Sequence, residues 1–258
     1  MPTAPRSLTA RERARVEFTR DIKEAARRQL AEHGAAGISL RGVARDIGLV
    51  SASALYRYFP GRDALLTALI ADSYSSLGDA AEAAGALDAG DPDGEAPDPG
   101  DHLGRWVAVC HAVRAWALAH PHEYALIHGS PVPGYTAPTE TTEPGTRVPF
   151  LIGGLFARAA QDGAYRPLDH LPVPADAHRA LVPLLGRLPD GIPDHLVVAG
   201  LTAWTYLFGA VSFEVFGHRA NIVDDQRAYF DHEVRRLGVL LGLGPAAADG
   251  GRPSGPGA

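Results

Sequence analysis

The sequence predicts an all-α protein with a small helical domain near its N-terminus and a larger helical domain after it. Apolar residues recur at helical spacing along most of the chain, and glycine- and proline-rich stretches separate these segments. We find no convincing alternation of apolar and polar residues that would indicate strands. With 258 residues, the chain is long enough to bury a substantial core.

The most informative stretch is 38–66, where the sequence predicts two short helices joined by a tight turn. Ser39 suits the N-cap of the first helix, and apolar residues follow it at i, i+3, i+4 and i+7. Gly48 stands where this helix should stop, because glycine enters the left-handed conformation without a Cβ penalty. Ser51 can cap the second helix, and Pro60–Gly61 ends it. The pattern predicts a helix-turn-helix, which offers its second helix to the DNA major groove.

The remaining elements follow from caps, breakers and periodicity. Asp63 is predicted to cap a helix that runs to about Leu87. Further helices are predicted at 102–119, after Pro121, at 148–161, at 194–217 and at 225–242. The intervening segments 88–101, 130–145 and 166–193 are rich in proline, glycine or acidic residues, and we predict that they are irregular.

Charge is distributed unevenly along the chain. Residues 1–66 carry 12 Lys and Arg against 7 Asp and Glu, whereas the rest carries 12 against 23. A basic N-terminal quarter on an acidic body indicates a nucleic-acid footprint confined to one end. The basic residues of the first 23 could reach phosphates, or they could belong to a solvated helix face, since acidic residues interleave with them.

These observations divide the chain into four predicted parts. Residues 1–14 form a flexible basic arm, and 15–62 form the helix-turn-helix domain. Residues 63–243 form a larger helical domain, and 244–258 form a disordered tail.

The segment from about Val16 to Asp72 resembles the DNA-binding domain of the TetR/AcrR family of transcriptional regulators. The resemblance is carried by the first helix (DIKEAARRQLAEHG), by SLRGVARDIG and by ALYRYFPGRDALL. The chain has one residue more than is usual in the family between the turn glycine and the Leu-Tyr pair. This insertion leaves open which short side chains after the turn face the bases.

The resemblance implies a set of DNA-contacting residues. Arg41 is placed to reach a phosphate or a guanine edge, and Tyr56 matches the phosphate-contacting tyrosine of the family. Arg62 occupies the position of a basic residue that grips the DNA backbone. The complete predicted set is Lys23, Ser39, Arg41, Ser51, Ala52, Ser53, Tyr56, Tyr58 and Arg62.

The C-terminal half resembles the effector-binding domain of one TetR subgroup, known as the WHG domain. The similarity is carried by RAWALAHPHEYALIHGSPVPGY and AWTYLFGAVSFEVFGH. Together the two resemblances imply that residues 63–243 are a helical domain for effector binding and dimerisation. They imply a homodimer that binds palindromic operator DNA, most often as a repressor, and is released by an unknown small-molecule effector. The implied dimer interface comes from helices 194–217 and 225–242.

Aromatic residues and histidines on the body helices are candidates for an effector pocket, although such residues more often belong to the core. The candidate set is Trp106, His111, Trp116, Tyr124, His128, Trp204 and Phe208. We expect no metal site, because the histidines lack a paired cysteine or an acidic partner at ligand spacing. We also expect no cofactor.

Three alternatives stand against a cytoplasmic regulator. The 18 uncharged residues 196–213 reach the length of a membrane span, but their threonines, serine, tyrosine and glycines favour a helix buried in a soluble assembly. We find no catalytic motif and assign no catalytic residue, yet a small-molecule-binding protein or enzyme with an unused helix-turn-helix remains the alternative function. An architectural DNA-binding protein would need a more basic body. Cys110 alone cannot form an intrachain disulfide, which favours the cytoplasm.

Overall fold

A computed structural model describes residues 9–86, 100–167 and 171–244 of the protein. The predicted all-α fold is confirmed: in these ranges the chain is helical, and an isolated bridge between Tyr165 and Leu243 is the sole β-type pairing. The helices are α1 (Ala10–Gly37), α2 (Leu40–Asp46), a 3-10 helix (Ala52–Arg57), α3 (Arg62–Gly85), α4 (His102–Ala119), α5 (Pro121–His128), a 3-10 turn (Thr139–Thr141), α6 (Thr142–Gln161), α7 (Ala175–Leu185), α8 (Asp194–Val215) and α9 (Gln226–Leu240).

Several boundaries differ from the prediction. Thr9 caps α1 and forms a capping box with Glu12, so residues 10–14 are helical and do not belong to a flexible arm. Helix α3 begins at Arg62, so Asp63 lies in its first turn and the predicted cap at this residue is wrong. The predicted loop 88–101, tail 244–258 and first arm residues lie wholly or mostly outside the described residues.

Two segments that were predicted to be irregular contain helix. Helix α6 begins at Thr142, six residues before its predicted start. Pro144 does not prevent this, because it falls in the first turn, where a backbone N–H has no intrahelical partner. Helix α7 lies within 166–193 and is amphipathic despite Pro183 near its end.

The chain divides into two compact units, which we call the N-terminal unit and the C-terminal unit. The N-terminal unit comprises residues 1–76 and 120–145, and the C-terminal unit comprises 77–119 and 146–258. The predicted N-terminal domain of 15–62 is therefore smaller than the N-terminal unit, which also includes α5 and the proline-rich segment after it.

The N-terminal unit has a single apolar core that combines α1, α2, the 3-10 helix, the start of α3 and part of α5. Its fully buried members include Ile22, Val43, Leu55, Leu65 and Leu66. Burial of each such side chain contributes about 1.5–3 kcal/mol relative to an exposed one. The two short helices of residues 40–57 depend on this core, because isolated helices of that length are unstable in water.

The C-terminal unit is organised around α4, which packs against both α8 and α9. The indole nitrogen of Trp106 donates to the backbone carbonyl of Val234 at 2.7 Å. Gly238 allows this close approach, since a Cβ there would lie 2.7 Å from the indole ring. A carboxylate–guanidinium pair, Glu214 with Arg114, joins α8 to α4.

Helix α8 is long and apolar enough to cross a membrane by length and composition alone. Its mean hydropathy reaches 1.7, and 39% of that stretch is buried within the chain. A single such helix is weak evidence, because the core helix of a soluble protein has the same composition.

Candidate nucleic-acid interface and effector cleft

The turn between α2 and the 3-10 helix has the geometry that the sequence predicts. The hydroxyl of Ser39 accepts from the N–H of Gly42, which confirms the N-cap of α2. Gly48 has a φ of +77°, in the left-handed region that favours glycine. The hydroxyl of Ser51 accepts from the N–H of Ser53 at 3.1 Å and so caps the next helix. That helix is a six-residue 3-10 helix, a tighter form than an α-helix.

A buried glutamine holds α2 in place. Gln29 of α1 is only 4% exposed, accepts from the N–H of Ser39 at 3.2 Å and donates to Asp46 at 2.6 Å. It therefore binds both ends of α2. Gly42 must remain small at this point, because a Cβ there would lie 2.5 Å from the Gln29 amide nitrogen. The orientation of α2 is thus fixed by polar contacts as well as by the core.

Arg62 at the start of α3 is engaged inside the N-terminal unit. Its guanidinium donates to the backbone carbonyls of Ala35 at 2.9 Å and Ile38 at 3.2 Å. These contacts join α3 to the end of α1 and the residues that lead into α2. The family resemblance places Arg62 on the DNA backbone, and in the structure its guanidinium already bonds the end of α1 and the residue two positions before α2.

Lys23 also has a protein partner. Its ammonium group lies 2.8 Å from Asp72, which accepts from Arg27 at 2.9 Å as well. Arg27 in turn lies 3.9 Å from Glu123 of α5. This network connects α1, α3 and α5, so DNA would have to compete with Asp72 for Lys23.

Other predicted contacts differ in how far they extend into solvent. Arg41 is exposed on α2, Tyr56 is 52% exposed, and Ser53 is exposed with its hydroxyl 3.1 Å from that of Ser51. Tyr58 is half-buried: its ring meets Phe18 edge-to-face at 5.1 Å. Ala52 is half-buried against the core.

Three exposed residues are absent from the predicted set. Arg45 lies one turn after Arg41 on the same face of α2, with 82% of its side chain exposed. Arg57 ends the 3-10 helix and is exposed, and Val50 of the turn is fully exposed. The spacing of four residues between Arg41 and Arg45 predicts that both lie on one face of α2, so the sequence could have identified Arg45. We refer to Arg41, Arg45, Val50, Ser53, Tyr56 and Arg57 together as the helix-turn-helix surface.

The C-terminal unit contains a cleft of about 800 Å³ between α6, the segment after α7, and α8. Such a volume is in the range of small-molecule sites. Bare backbone forms part of the wall at Gly154, where an added Cβ would have no neighbour within 4 Å. Gly200 approaches Gly153 so closely that a Cβ there would lie 3.1 Å from the Gly153 α-carbon. Apolar lining residues are Phe150, Ile192, Leu196, Val197, Leu201 and Trp204.

The predicted effector-pocket residues do not come together. Trp204 lines the cleft, and the ring of Phe208 lies edge-to-face against the Trp204 ring, with 6.3 Å between the ring centres. Trp106 and Trp116 are buried in the core of the C-terminal unit, as Trp106 must be to reach Val234. His111 bonds Asp231 at 2.9 Å.

The last two of that set, Tyr124 and His128, belong to the N-terminal unit and so are not part of this cleft. The His128 ring lies 5.1 Å from the Tyr124 ring and 5.8 Å from that of Tyr74. Burial lowers the pKa of His128 to about 4, so this ring is neutral at pH 7. Within the described ranges, no group of three or more His, Cys, Asp or Glu side chains could hold a metal ion.

Comparisons with known proteins cover nearly the whole chain. Residues 22–69 match the family described as bacterial regulatory proteins, tetR family, and residues 106–237 match the Tetracyclin repressor-like, C-terminal domain. The HTH-type transcriptional regulator Rv1816 of Mycobacterium tuberculosis (strain ATCC 25618 / H37Rv) is 38% identical over 235 residues. That alignment spans 88% of this chain and 94% of the relative. The regulator Mb1846 of Mycobacterium bovis matches to the same extent.

Solved structures share the fold. The regulatory protein SCO4313 superposes with a TM-score of 0.70 at 32% identity, over 89% of this chain and 98% of that one. A regulatory protein in the tetR family from Rhodococcus RHA1 superposes with a TM-score of 0.57 at 14% identity, over 87% of this chain and 96% of that one. The second likeness shows the fold alone.

Proposed function

Because this chain belongs to the TetR family of bacterial DNA-binding transcriptional regulators, we propose that it represses transcription as a homodimer bound to a palindromic operator. A small molecule in the cleft of the C-terminal unit would release it. The observation that carries the proposal is the helix-turn-helix surface, in which cations and a tyrosine extend into solvent from a rigidly held α2 and 3-10 helix. The division between a DNA-binding domain ending at 62 and an effector domain from 63 remains part of this proposal.

Arg41 and Tyr56 support operator binding most directly. Both are exposed, whereas Lys23, Ser39, Ser51 and Arg62 already bond within the N-terminal unit. We assign Arg41 to a phosphate or guanine, and Tyr56 to a phosphate through its hydroxyl. The residues that bond internally would hold Arg41 and Tyr56 in position. Ala52 and Ser53 belong to the same 3-10 helix as Tyr56, and Tyr58 follows that helix directly.

The test is a gel shift over a salt series, with DNA selected from random sequence and with the DNA beside the gene. We expect a palindrome and a steep loss of affinity with salt. Arg41→Ala and Tyr56→Phe should each weaken binding. Each phosphate that loses its Arg41 cation should reduce the slope of log affinity against log salt by about 0.9, whereas Tyr56→Phe removes no charge and should leave the slope unchanged. Arg179→Ala, an exposed arginine on α7, is the matched control. If no sequence is selected, the proposed function is wrong.

A second face supports the homodimer. Val198, Thr202, Thr205, Gly209 and Phe213 are exposed along one stripe of α8, at spacings of 4, 3, 4 and 4 residues. This uncharged face carries the exposed apolar side chains of Val198 and Phe213, which supports its being covered by another subunit. Helix α9 packs beside it, so the two helices and their symmetry mates could form a four-helix interface.

Light scattering on the purified protein tests the dimer. We expect about twice the chain mass of 27.2 kDa. Phe213 is 54% exposed, so Phe213→Arg should leave the subunit folded but convert it to a monomer that binds the palindrome weakly. Val182→Arg, at 53% exposure on α7, is the control. A monomeric wild-type protein contradicts the dimer.

The cleft beside Trp204 is our candidate effector site. Its walls are mostly apolar, and the glycine backbone of α6 leaves open space that a ligand can fill. A ligand can release the operator only by as much as its affinity differs between the free and DNA-bound conformations. Because α6 and α8 both line the cleft, a ligand that changes their spacing would act on the helix assigned to the dimer interface.

Filling the cleft tests this assignment. Gly154→Leu should occupy the space without collision, and it should raise helix stability, because leucine is a better helix former than glycine. We expect it to abolish binding of the dye 1-anilinonaphthalene-8-sulfonate while operator affinity stays unchanged. Trp204→Phe should alter dye binding, and Trp116→Phe should not. Equal dye binding by wild type and Gly154→Leu would place the effector elsewhere.

The regulator assignment supports a proposal for where the protein works. Operator DNA lies in the bacterial cytoplasm, and we propose that the protein works there, with the apolar stripe of α8 facing a second subunit instead of a membrane. The ion pair of Glu214 near the end of α8 favours this interpretation. We propose no catalytic role, and a ligand recovered chemically unchanged from the cleft would support binding without turnover.

A further inference from the structure

Val50 has a backbone that is fixed on both sides and a side chain that extends into solvent. Before it, the N–H of Leu49 donates to the carbonyl of Ala44 at 2.8 Å, which closes the end of α2. After it, Ser51 caps the 3-10 helix. Val50 is fully exposed to solvent. A rigid turn therefore presents an isopropyl group entirely to solvent.

The usual structural use of such a residue is absent. An apolar residue just before an N-cap often packs against the fourth residue of the helix, which here is Leu55. Leu55 is fully buried in the core and Val50 is fully exposed, so they do not form this contact. Leu49 packs against the core in its place. Val50 thus contributes no burial to the fold, and stability does not explain its apolar side chain.

The surroundings of Val50 in the sequence are those of a DNA contact. The exposed cations Arg41 and Arg45 precede it on α2, and exposed Tyr56 and Arg57 follow it on the 3-10 helix. In a helix-turn-helix, the residues at the start of the second helix meet base edges in the major groove. An apolar side chain there has one favourable target among the base edges, the C5-methyl group of thymine.

We propose that Val50 reads a thymine in each half of the operator by packing against its C5-methyl group. The inference rests on the proposed operator binding, and it adds a specificity-determining residue that lies in the turn itself. Polar neighbours such as Ser53 cannot replace it, because a hydroxyl gains nothing from burying a methyl group. The contact would be made once per subunit, at symmetry-related positions of the palindrome.

The experiment removes the same apolar contact from either side. The operator that wild type selects from random DNA is resynthesised with each symmetric thymine pair replaced in turn by deoxyuridine, which lacks only the C5-methyl. At one pair, we expect wild type to lose about fourfold in affinity per half-site, the value of one methylene-sized apolar contact. Val50→Ala should lose a similar factor on the thymine operator and be indifferent to deoxyuridine at that pair.

Controls separate this proposal from the proposed function. Val182→Ala removes an exposed valine from α7 and should keep the wild-type response to deoxyuridine. Val50→Ala should keep the wild-type unfolding midpoint, because the side chain buries nothing. If Val50→Ala responds to every deoxyuridine as wild type does, the inference is wrong while operator binding stands. If wild type selects no sequence at all, both are wrong.

Discussion

The helix-turn-helix surface and the core of the C-terminal unit use charged side chains in opposite ways. In the C-terminal unit, Arg114 and Glu214 form a two-point pair with side chains only 14% and 9% exposed. On the helix-turn-helix surface, Arg41, Arg45 and Arg57 extend into solvent. The first arrangement makes charge part of the fold. The second leaves charge available for a polyanion.

A more exposed carboxylate of the C-terminal unit, Asp231, is also paired. Hydrogen bonds from Arg235 and His111 lower the pKa of Asp231 to about 2, so that carboxylate is ionised at any physiological pH. Near the helix-turn-helix surface, the polar contacts of Gln29 and Arg62 go mainly to backbone or to the ends of α2. These contacts fix the positions of the helices, while the cations of the surface lie on the outer face.

The largest expected effect is on the buried pair. Arg114→Ala leaves Glu214 buried without its partner, and it also removes a cation–π contact with Phe230 at 5.5 Å. We expect it to reduce the free energy of unfolding by about 3–5 kcal/mol, measured by urea titration. Arg28→Ala breaks the exposed pair with Glu24 and should cost at most about 0.5 kcal/mol. Equal losses in the two variants would contradict the comparison.

A smaller effect is expected from His128 in the N-terminal unit. Burial lowers its pKa to about 4, while the unfolded chain binds the proton near 6.5. The unfolded state therefore takes up a proton first as pH falls, and folded stability decreases from about pH 6.5 down to 4. Between pH 7 and pH 4.5, protonation of His128 should lower the free energy of unfolding by about 2 kcal/mol.

The matched variant for that measurement is His128→Phe, which keeps an aromatic ring beside Tyr74 and Tyr124. Urea titrations at several pH values should show a flatter pH dependence for the variant than for wild type. A parallel dependence would mean that the buried ring does not titrate as its surroundings require.

Features that depend on residues close in sequence could be predicted, whereas contacts between residues distant in sequence could not. Ser39, Gly48 and Ser51 act on neighbouring backbone, and their predicted roles are confirmed. Helix α7 was not predicted, because Pro183 and flanking prolines obscured its amphipathic pattern. Local signals thus predicted that the other helices exist, although not where each of them begins.

Side-chain partners distant in sequence could not be predicted. Lys23 bonds Asp72, 49 positions away, and Arg62 bonds the backbone at Ala35, so two basic residues that the family resemblance assigns to DNA also bond within the protein. The predicted pocket residues failed to converge for the same reason: Tyr124 follows α4 closely in sequence but packs in the other unit.

The smallest expected effect on stability is that of Arg45, on the helix-turn-helix surface. Arg45 was not predicted, and its exposed side chain lies 3.8 Å from Asp46, a weak surface pair. Arg45→Ala should leave the urea midpoint unchanged, because nothing buried is disturbed. If Arg45 contacts a phosphate, each half-site should lose about 1 kcal/mol of operator affinity, roughly fivefold, and the salt slope should fall by about 0.9 per half-site. Gel shifts at several salt concentrations, with Arg28→Ala as the control, distinguish this result. Reduced stability with an unchanged salt slope would instead make Arg45 part of the scaffold, like Arg62.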